Sequence, residues 1–164
     1  MRNTKLRDWL EIAATLSVVG GLLLVAWEIR QANGIARAQT VLELTAGYNE
    51  INSARFENPA VARMALLLQN PGEYDISDVE ASMITGLAFQ IHNILWSAQI
   101  AFDNGLLTQE DLDTYRNDLE QSFDDWPGIV TDLVNIHRSQ PGKQDAYVFQ
   151  PLANRVSAMN RDQD

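Results

Sequence analysis

The chain has no cysteine and only two histidines among its 164 residues. Without thiols there is no disulfide, no thiolate nucleophile and no cysteine-held iron–sulfur cluster. A zinc site takes three or four ligands at fixed spacing, and His92 and His137 are too few and too far apart in sequence to supply that pattern. A di-metal site in a helical bundle needs Glu-x-x-His on two helices; position 89 is Phe and position 134 is Val, so neither histidine has its partner. Cations are scarce too, with 12 Lys and Arg against 22 Asp and Glu, a net charge of −10. Such a surface repels phosphates, which excludes nucleic acid as a partner. No nucleophile elbow and no phosphate-cradling glycine loop is present. Asp124-Asp125-Trp126-Pro127-Gly128 does not alternate oxygen ligands around a glycine turn as a calcium loop does. The acidic series Glu110, Asp111, Asp113, Asp118, Glu120, Asp124 and Asp125 therefore reads as a solvated helix face. No pair of carboxylates stands out for acid–base work. The sequence assigns no catalytic, cofactor-binding or metal residue, implies no cofactor, and gives no reason to expect an enzyme.

What is present is a run of sixteen residues, Ile12 to Trp27, without one charged side chain. The run alone is slightly short of the ~20 residues that span a bilayer. Trp9 and Trp27, eighteen positions apart, extend it to roughly 27 Å at helical rise, close to the hydrocarbon thickness. Indole rings favour the interface, where an apolar body and a polar N–H are both served, so both tryptophans read as membrane-interface anchors. A cleaved signal peptide needs a small-residue site soon after the apolar run, but Ala36-Arg37-Ala38 lies well beyond Trp27, past Glu28 and Arg30. A buried core helix is disfavoured by the tryptophan pair and the basic tail, and an in-plane helix by the lack of a charged face. Within the span, Ala13, Ser17, Gly20 and Gly21 form a small-residue stripe of the kind that lets two helix backbones approach closely in lipid. That stripe is the expected helix-association face. Arg2, Lys5 and Arg7 before the span outnumber Arg30 and Arg37 after it, which favours a cytoplasmic N-terminus and a translocated C-terminal domain.

The remainder reads as helices separated by turn signals. Val41, Leu44, Thr45, Tyr48, Ile51, Asn52 and Phe56 keep three-four spacing. Upstream of them Asn33-Gly34 is either a break or a soft spot within one long helix. Asn58-Pro59 restarts the chain as an N-cap with Pro at the first helical position, and the short helix through Val61, Met64, Leu67 and Leu68 ends at Asn70-Pro71-Gly72. Ser77 and Glu80 match a capping box. They open a long helix to Asn104-Gly105, with Ile84, Leu87, Ala88, Ile91, Ile94, Leu95, Ala98 and Phe102 as its apolar stripe. Within it His92 reads as a hydrogen-bonded, partly buried imidazole, and Gln90, His92, Asn93 and Trp96 as a polar–aromatic side, either ordinary helix surface or the lining of a pocket or an interface. Thr108 caps the next helix, held by Leu112, Tyr115, Leu119, Phe123 and Trp126. A short helix over Ile129 to His137 follows Pro127-Gly128; a loop spans 139–143, and a last helix follows Pro151. The reading is all-α: a basic tail (1–8), a transmembrane helix (9–29), a small helical bundle domain (30–160) and a polar tail (161–164).

The anchor followed by Glu28-Ile29-Arg30-Gln31 and Ala36-Arg37-Ala38-Gln39-Thr40, with Phe102-Asp103-Asn104-Gly105-Leu106-Leu107 further on, resembles a widespread group of small bacterial single-pass membrane proteins. The group has a helical soluble domain and no characterised activity. The resemblance implies an N-terminal anchor, a helical soluble domain and a bacterial origin; with the bias of basic residues, the expectation is an inner-membrane protein whose helical domain lies in the periplasm. Asn33-Gly34 departs from the group if its helix is continuous there. The functional expectation is a membrane-anchored, non-enzymatic interaction protein. It would be an accessory or scaffold subunit of a membrane protein complex, or a homo-oligomer, with the lipid bilayer and a membrane protein or a second copy as partners. The alternative is a membrane-anchored ligand-binding sensor.

Overall fold

The computed structural model describes residues 2–161, with the side chains of residues 2–6, 52, 54–56 and 159–161 left out. The expected features resting on Arg2, Lys5, Asn52, Phe56 and the polar tail lie outside the described residues. Among the described residues six α-helices follow in order: α1 (Arg2–Glu57), α2 (Pro59–Gln69), α3 (Asp78–Asp103), α4 (Gln109–Asp125), α5 (Val130–Arg138) and α6 (Gln150–Arg161). Short 3₁₀ turns at Pro127–Ile129, Pro141–Lys143 and Tyr147–Phe149 join the last three helices. There is no strand among the described residues. The architecture is one long apolar N-terminal helix followed by a helical domain. Two compact units are present, Met1–Gln39 and Thr40–Asp164.

The first unit lies within α1, which runs without interruption through Asn33-Gly34. Of the two readings open there, the continuous helix is the correct one. A terminating glycine needs a left-handed backbone, and among the described glycines only Gly72 and Gly105 have positive φ. A glycine inside a helix costs about 1 kcal/mol relative to alanine, too little to interrupt a helix this long.

The second unit is built around α3. Its N-terminus is held by the Ser77–Glu80 capping box: the Ser77 hydroxyl accepts from the Glu80 N–H, and the Glu80 carboxylate accepts from the Ser77 N–H at 2.9 Å. Arg63 of α2 pairs with the same carboxylate. At the other end Gly105, φ +73°, lets the chain reverse. Its N–H donates to the Phe102 carbonyl and the Leu106 N–H to the Ala101 carbonyl, both at 2.8 Å, a Schellman closure. Between these stops α3 buries Ile84, Ala88, Ile91, Leu95 and Ala98. Two alanines in that row bring α4, α5 and the Tyr147–Phe149 turn close. Leu112, Leu119, Ile129, Leu133, Phe149 and Leu152 meet them as a single hydrophobic core, which Leu44 and Ile51 of α1 also join.

Two other contacts fix the layers. Gly128 packs so tightly on α2 that a Cβ there would stand 3.1 Å from both the Cα and the carbonyl oxygen of Leu68. Asp132 of α5 accepts a hydrogen bond from Thr85 of α3 at 2.9 Å. The segment expected as a plain loop over 139–143 contains a 3₁₀ turn, and α6 begins with Pro151 in its first turn, where a missing N–H costs nothing.

Candidate functional site

The N-terminal helix presents apolar side chains all round. Trp9 is 72% exposed, Leu23 67% and Trp27 63%, and Leu10, Ile12, Leu16, Val18, Val19, Leu22, Leu24, Val25 and Ile29 are likewise exposed. A stretch within Arg7–Ile51 is long and apolar enough to cross a membrane, and none of it is buried by the protein itself. The reading as a buried core helix therefore fails. The two hydroxyls of its apolar run are satisfied inside the helix: Ser17 donates to the Ala13 carbonyl at 2.8 Å and Thr15 to the Glu11 carbonyl at 2.9 Å. Ala13, Ser17, Gly20 and Gly21 are all exposed, and a Cβ at either glycine would meet nothing within 4 Å. The stripe is open for close approach by another backbone.

In the second unit the C-terminal turns of α1 form a cavity of about 450 Å³ with α2 and α3. Val61, Met64, Leu68, Met83 and Leu87 give it apolar walls, with Ile51 and Trp126 beside them and Glu50 and Gln90 also on the lining. Gly86 leaves the α3 side open, since a Cβ there would touch nothing within 4 Å. Ile51 and Trp126 are shared with an adjoining cavity of about 360 Å³, where Tyr48, Asp118, Gln121 and Asp125 supply a more polar lining. Burial raises the Asp118 carboxyl above its ordinary value. Burial and the neighbouring Asp118 also push up the hydroxyl of Tyr48, whose ring stacks on Tyr115 with centroids 5.8 Å apart.

The expected polar–aromatic side of α3 is not one side. Gln90 lies at the cavity and Asn93 is exposed, whereas His92 is fully buried. Nor is His92 hydrogen-bonded as the sequence suggested: neither ring nitrogen has a partner. Instead its ring lies flat on Phe149, centroids 4.4 Å apart and planes 12° from parallel, with buried His137 at 6.2 Å. Burial is the largest cause that lowers the His92 imidazole to about 4, helped by the positive charge of Lys143 and by His137. His137 is likewise lowered by burial. Both imidazoles therefore sit in the core as neutral rings at pH 7. Among the described residues no group of three or more His, Asp and Glu could hold a metal ion.

The acidic face of α4 is more engaged than a purely solvated face. Asp111 closes the Thr108 capping box, accepting from the Thr108 N–H at 2.7 Å. Asp113 accepts from the Tyr147 hydroxyl at 2.6 Å and from Gln109 at 2.9 Å, and the Tyr147 bond is the largest cause that lowers its carboxyl. Arg116 donates to the same hydroxyl at 3.0 Å and lies over the Tyr147 ring. Gln99 of α3, also buried, accepts from the Val148 N–H at 3.2 Å. Sequence spacing gave no signal for the bonds of Tyr147 and Val148, since each joins residues more than thirty positions apart.

The chain matches no family model, no curated protein and no solved structure.

Proposed function

We propose that the chain is a membrane-anchored, non-enzymatic interaction protein, an accessory or scaffold subunit of a membrane protein complex or a homo-oligomer. One observation carries this reading: twelve large apolar side chains from Trp9 to Ile29 stand exposed on a helix whose hydroxyls bond within itself. Transfer of one such side chain from water into hydrocarbon gains roughly 1.5–3 kcal/mol. A dozen gain on the order of 20 kcal/mol, more than the whole stability of an ordinary domain. A bilayer is the solvent that suits such a surface. Ala13, Ser17, Gly20 and Gly21 supply the association face, and Trp9 and Trp27 the interface anchors. The resemblance to small bacterial membrane proteins supports the inner membrane as its location. The basic residues Arg2, Lys5 and Arg7 hold the N-terminus in the cytoplasm, which puts the helical unit in the periplasm.

Alkaline carbonate extraction of membranes containing the full chain tests the anchor, and the chain should stay with the lipid. Release into the supernatant would overturn the reading. Cross-linking in mild detergent tests association, where Gly20→Leu with Gly21→Leu should convert a complex to monomer. A wild-type chain that is monomeric and without a partner sinks the interaction half of the proposal. The 450 Å³ cavity favours a second reading, a membrane-anchored ligand-binding sensor.

A further inference from the structure

Between Glu80 and Asp103 the helix α3 carries no Asp, Glu, Lys or Arg, and the one titratable side chain there, His92, is buried. One side of this uncharged stretch nevertheless faces outward. Ser82, Gly86 and Asn93 are exposed, Phe89 is 42% and Ile100 43% exposed, and Trp96 is half-buried at the edge. Their spacing is 4-3-4-3-4, the seam of a coiled coil, with Ser82, Phe89 and Trp96 at d and Gly86, Asn93 and Ile100 at a. A lone asparagine at an a position fixes the register of a parallel pair, because its amide can bond to the same amide of its mate. At Gly86 a Cβ would meet nothing within 4 Å, so a second backbone can come close there.

The two edges of the seam carry opposite charges at one level. At one edge the Lys143 ammonium stands 5.0 Å from the centre of the Trp96 ring, which leaves N–H donors for a further partner. At the other, exposed Glu43 lines a hollow with Asn93, Ile94 and Ser97. Residues 40–51 of α1 run beside α3 in the opposite direction, with Glu43 near Ser97, Gly47 against Ile94 and Glu50 beside Gln90. A two-fold axis along the seam lays the Lys143 edge of one copy on the Glu43 edge of its mate, twice over. An antiparallel pair centred on the seam would set Asn93 against Phe89 and leave the amide without its match.

We propose that this face of α3 pairs with the same face of a second copy, parallel and in register, when both copies are anchored in one bilayer. The proposal rests on the homo-oligomer reading above and says where the helical units meet. The seam is roughly 27 Å long and about 10 Å wide, roughly 300 Å² a copy against the ~800 Å² of a standard interface. Residues 40–164 also hold 7 Lys and Arg against 19 Asp and Glu, so free units repel one another. Small area and repulsion leave the unit monomeric in buffer. Anchoring raises the effective concentration to the order of millimolar, where a contact of this size closes. A parallel pair also leaves both Thr40 ends on one side, as two chains entering one bilayer require.

The chain has no cysteine, so single introduced cysteines report proximity. In membranes containing the full chain, copper–phenanthroline oxidation should link Gly86→Cys chains and Ile100→Cys chains at least tenfold more than Glu120→Cys chains, altered at an exposed position of α4. A tagged Gly86→Cys chain mixed with an Ile100→Cys chain should give no mixed dimer above the Glu120→Cys level; a dominant mixed dimer overturns the parallel register. Phe89→Glu should cut the Ile100→Cys dimer at least tenfold while helical circular dichroism holds, and an unchanged dimer overturns the seam. Lys143→Glu should weaken the dimer and Glu43→Lys in the same chain restore it, which a merely structural Lys143 would not allow. If Lys143→Glu disturbs folding, Glu43→Lys alone should weaken the dimer, and no effect overturns the charge pairing. Ser17→Cys in the apolar span reports whether copies associate at all. Linking there, with the α3 cysteines at the Glu120→Cys level, overturns the seam and leaves the homo-oligomer standing. No linking at either place overturns both.

Discussion

His92 has a polar ring, no exposed surface and no hydrogen bond, so the core accepts it only as a neutral, stacked disc on Phe149. Its folded-state value near 4 lies below the ordinary 6.5, so the unfolded chain takes up the proton first. The stabilising contribution is complete above pH 6.5 and is lost as pH falls from there toward 4. By pH 5 the loss from this one group amounts to roughly 2 kcal/mol, and lowering of His137 adds in the same direction. Urea unfolding at pH 7 and pH 5 should therefore show a lower midpoint in acid. His92→Leu should remove most of that difference and cost little at pH 7, since an apolar side chain of similar size leaves no unpaired polar atom. A wild-type midpoint equal at the two pH values would refute the assignment. Glycines separate in the same residue-by-residue way. Gly128→Ala would drive a methyl into the Leu68 backbone and should cost about 1–3 kcal/mol. Gly34→Ala meets open space inside α1 and should stabilise the helix by about 0.5–1 kcal/mol. Thermal midpoints of opposite sign for these two variants are the check. Sequence alone shows that both positions are glycine, but it does not show that one of them lies against a helix sixty residues earlier.

At the scale of elements, helix ends were the most legible feature, because a cap is a local bargain between residues three positions apart. Ser77 with Glu80 and Asn58 before Pro59 could be read directly: Ser77 and Glu80 exchange hydrogen bonds, and the Asn58 side chain accepts from the Ala60 N–H. Thr108 was equally plain as a cap, although its partner turned out to be Asp111 closing a box from the third helical position. Thr108→Ala should lower stability by about 0.5–2 kcal/mol. Fraying at the start of α4, seen as faster amide exchange over residues 109–113, should accompany it; unchanged exchange there would count against the cap. The apolar stripes of α3 and α4 were legible for the same reason, since three-four periodicity is a property of one helix. What covers each stripe was not. The Tyr147 hydroxyl reaches Asp113 and Arg116 across more than thirty residues, and the buried Gln99 amide holds the backbone of Val148 across forty-nine. Neither link has a sequence signature, because the partners meet only after the 3₁₀ turn at Tyr147–Phe149 has brought the chain back over α3 and α4. The cavity escaped sequence reading in the same way: Glu50, Met64, Met83 and Trp126 come from separate elements, and no spacing relates them.

At the scale of the whole molecule, the two compact units divide at Thr40 and differ in what solvent they suit. Residues 7–39 bury no side chain and hold most of the large aliphatic residues that stand exposed, so they contribute nothing to the core. Every residue of the core cluster lies between Leu44 and Leu152, with partly buried residues from Val41 to Val156 packed on it. Residues 40–164 carry 7 Lys and Arg against 19 Asp and Glu, an acidic surface that keeps a protein soluble and disfavours self-association. The polypeptide 40–164 should therefore fold alone in plain buffer, as a monomer, with the same urea midpoint as the full chain in detergent. Its high negative charge opposes compactness, and salt screens that repulsion within about 10 Å at 0.1 M. Raising salt from low ionic strength to 0.3 M should accordingly raise its thermal midpoint, whereas a protein held mainly by surface ion pairs would lose stability under the same change. Circular dichroism melting and sedimentation velocity on the isolated polypeptide provide both readings. Aggregation in buffer would overturn independent folding of this unit, and a midpoint that falls with salt would mean that attraction, not repulsion, dominates its surface.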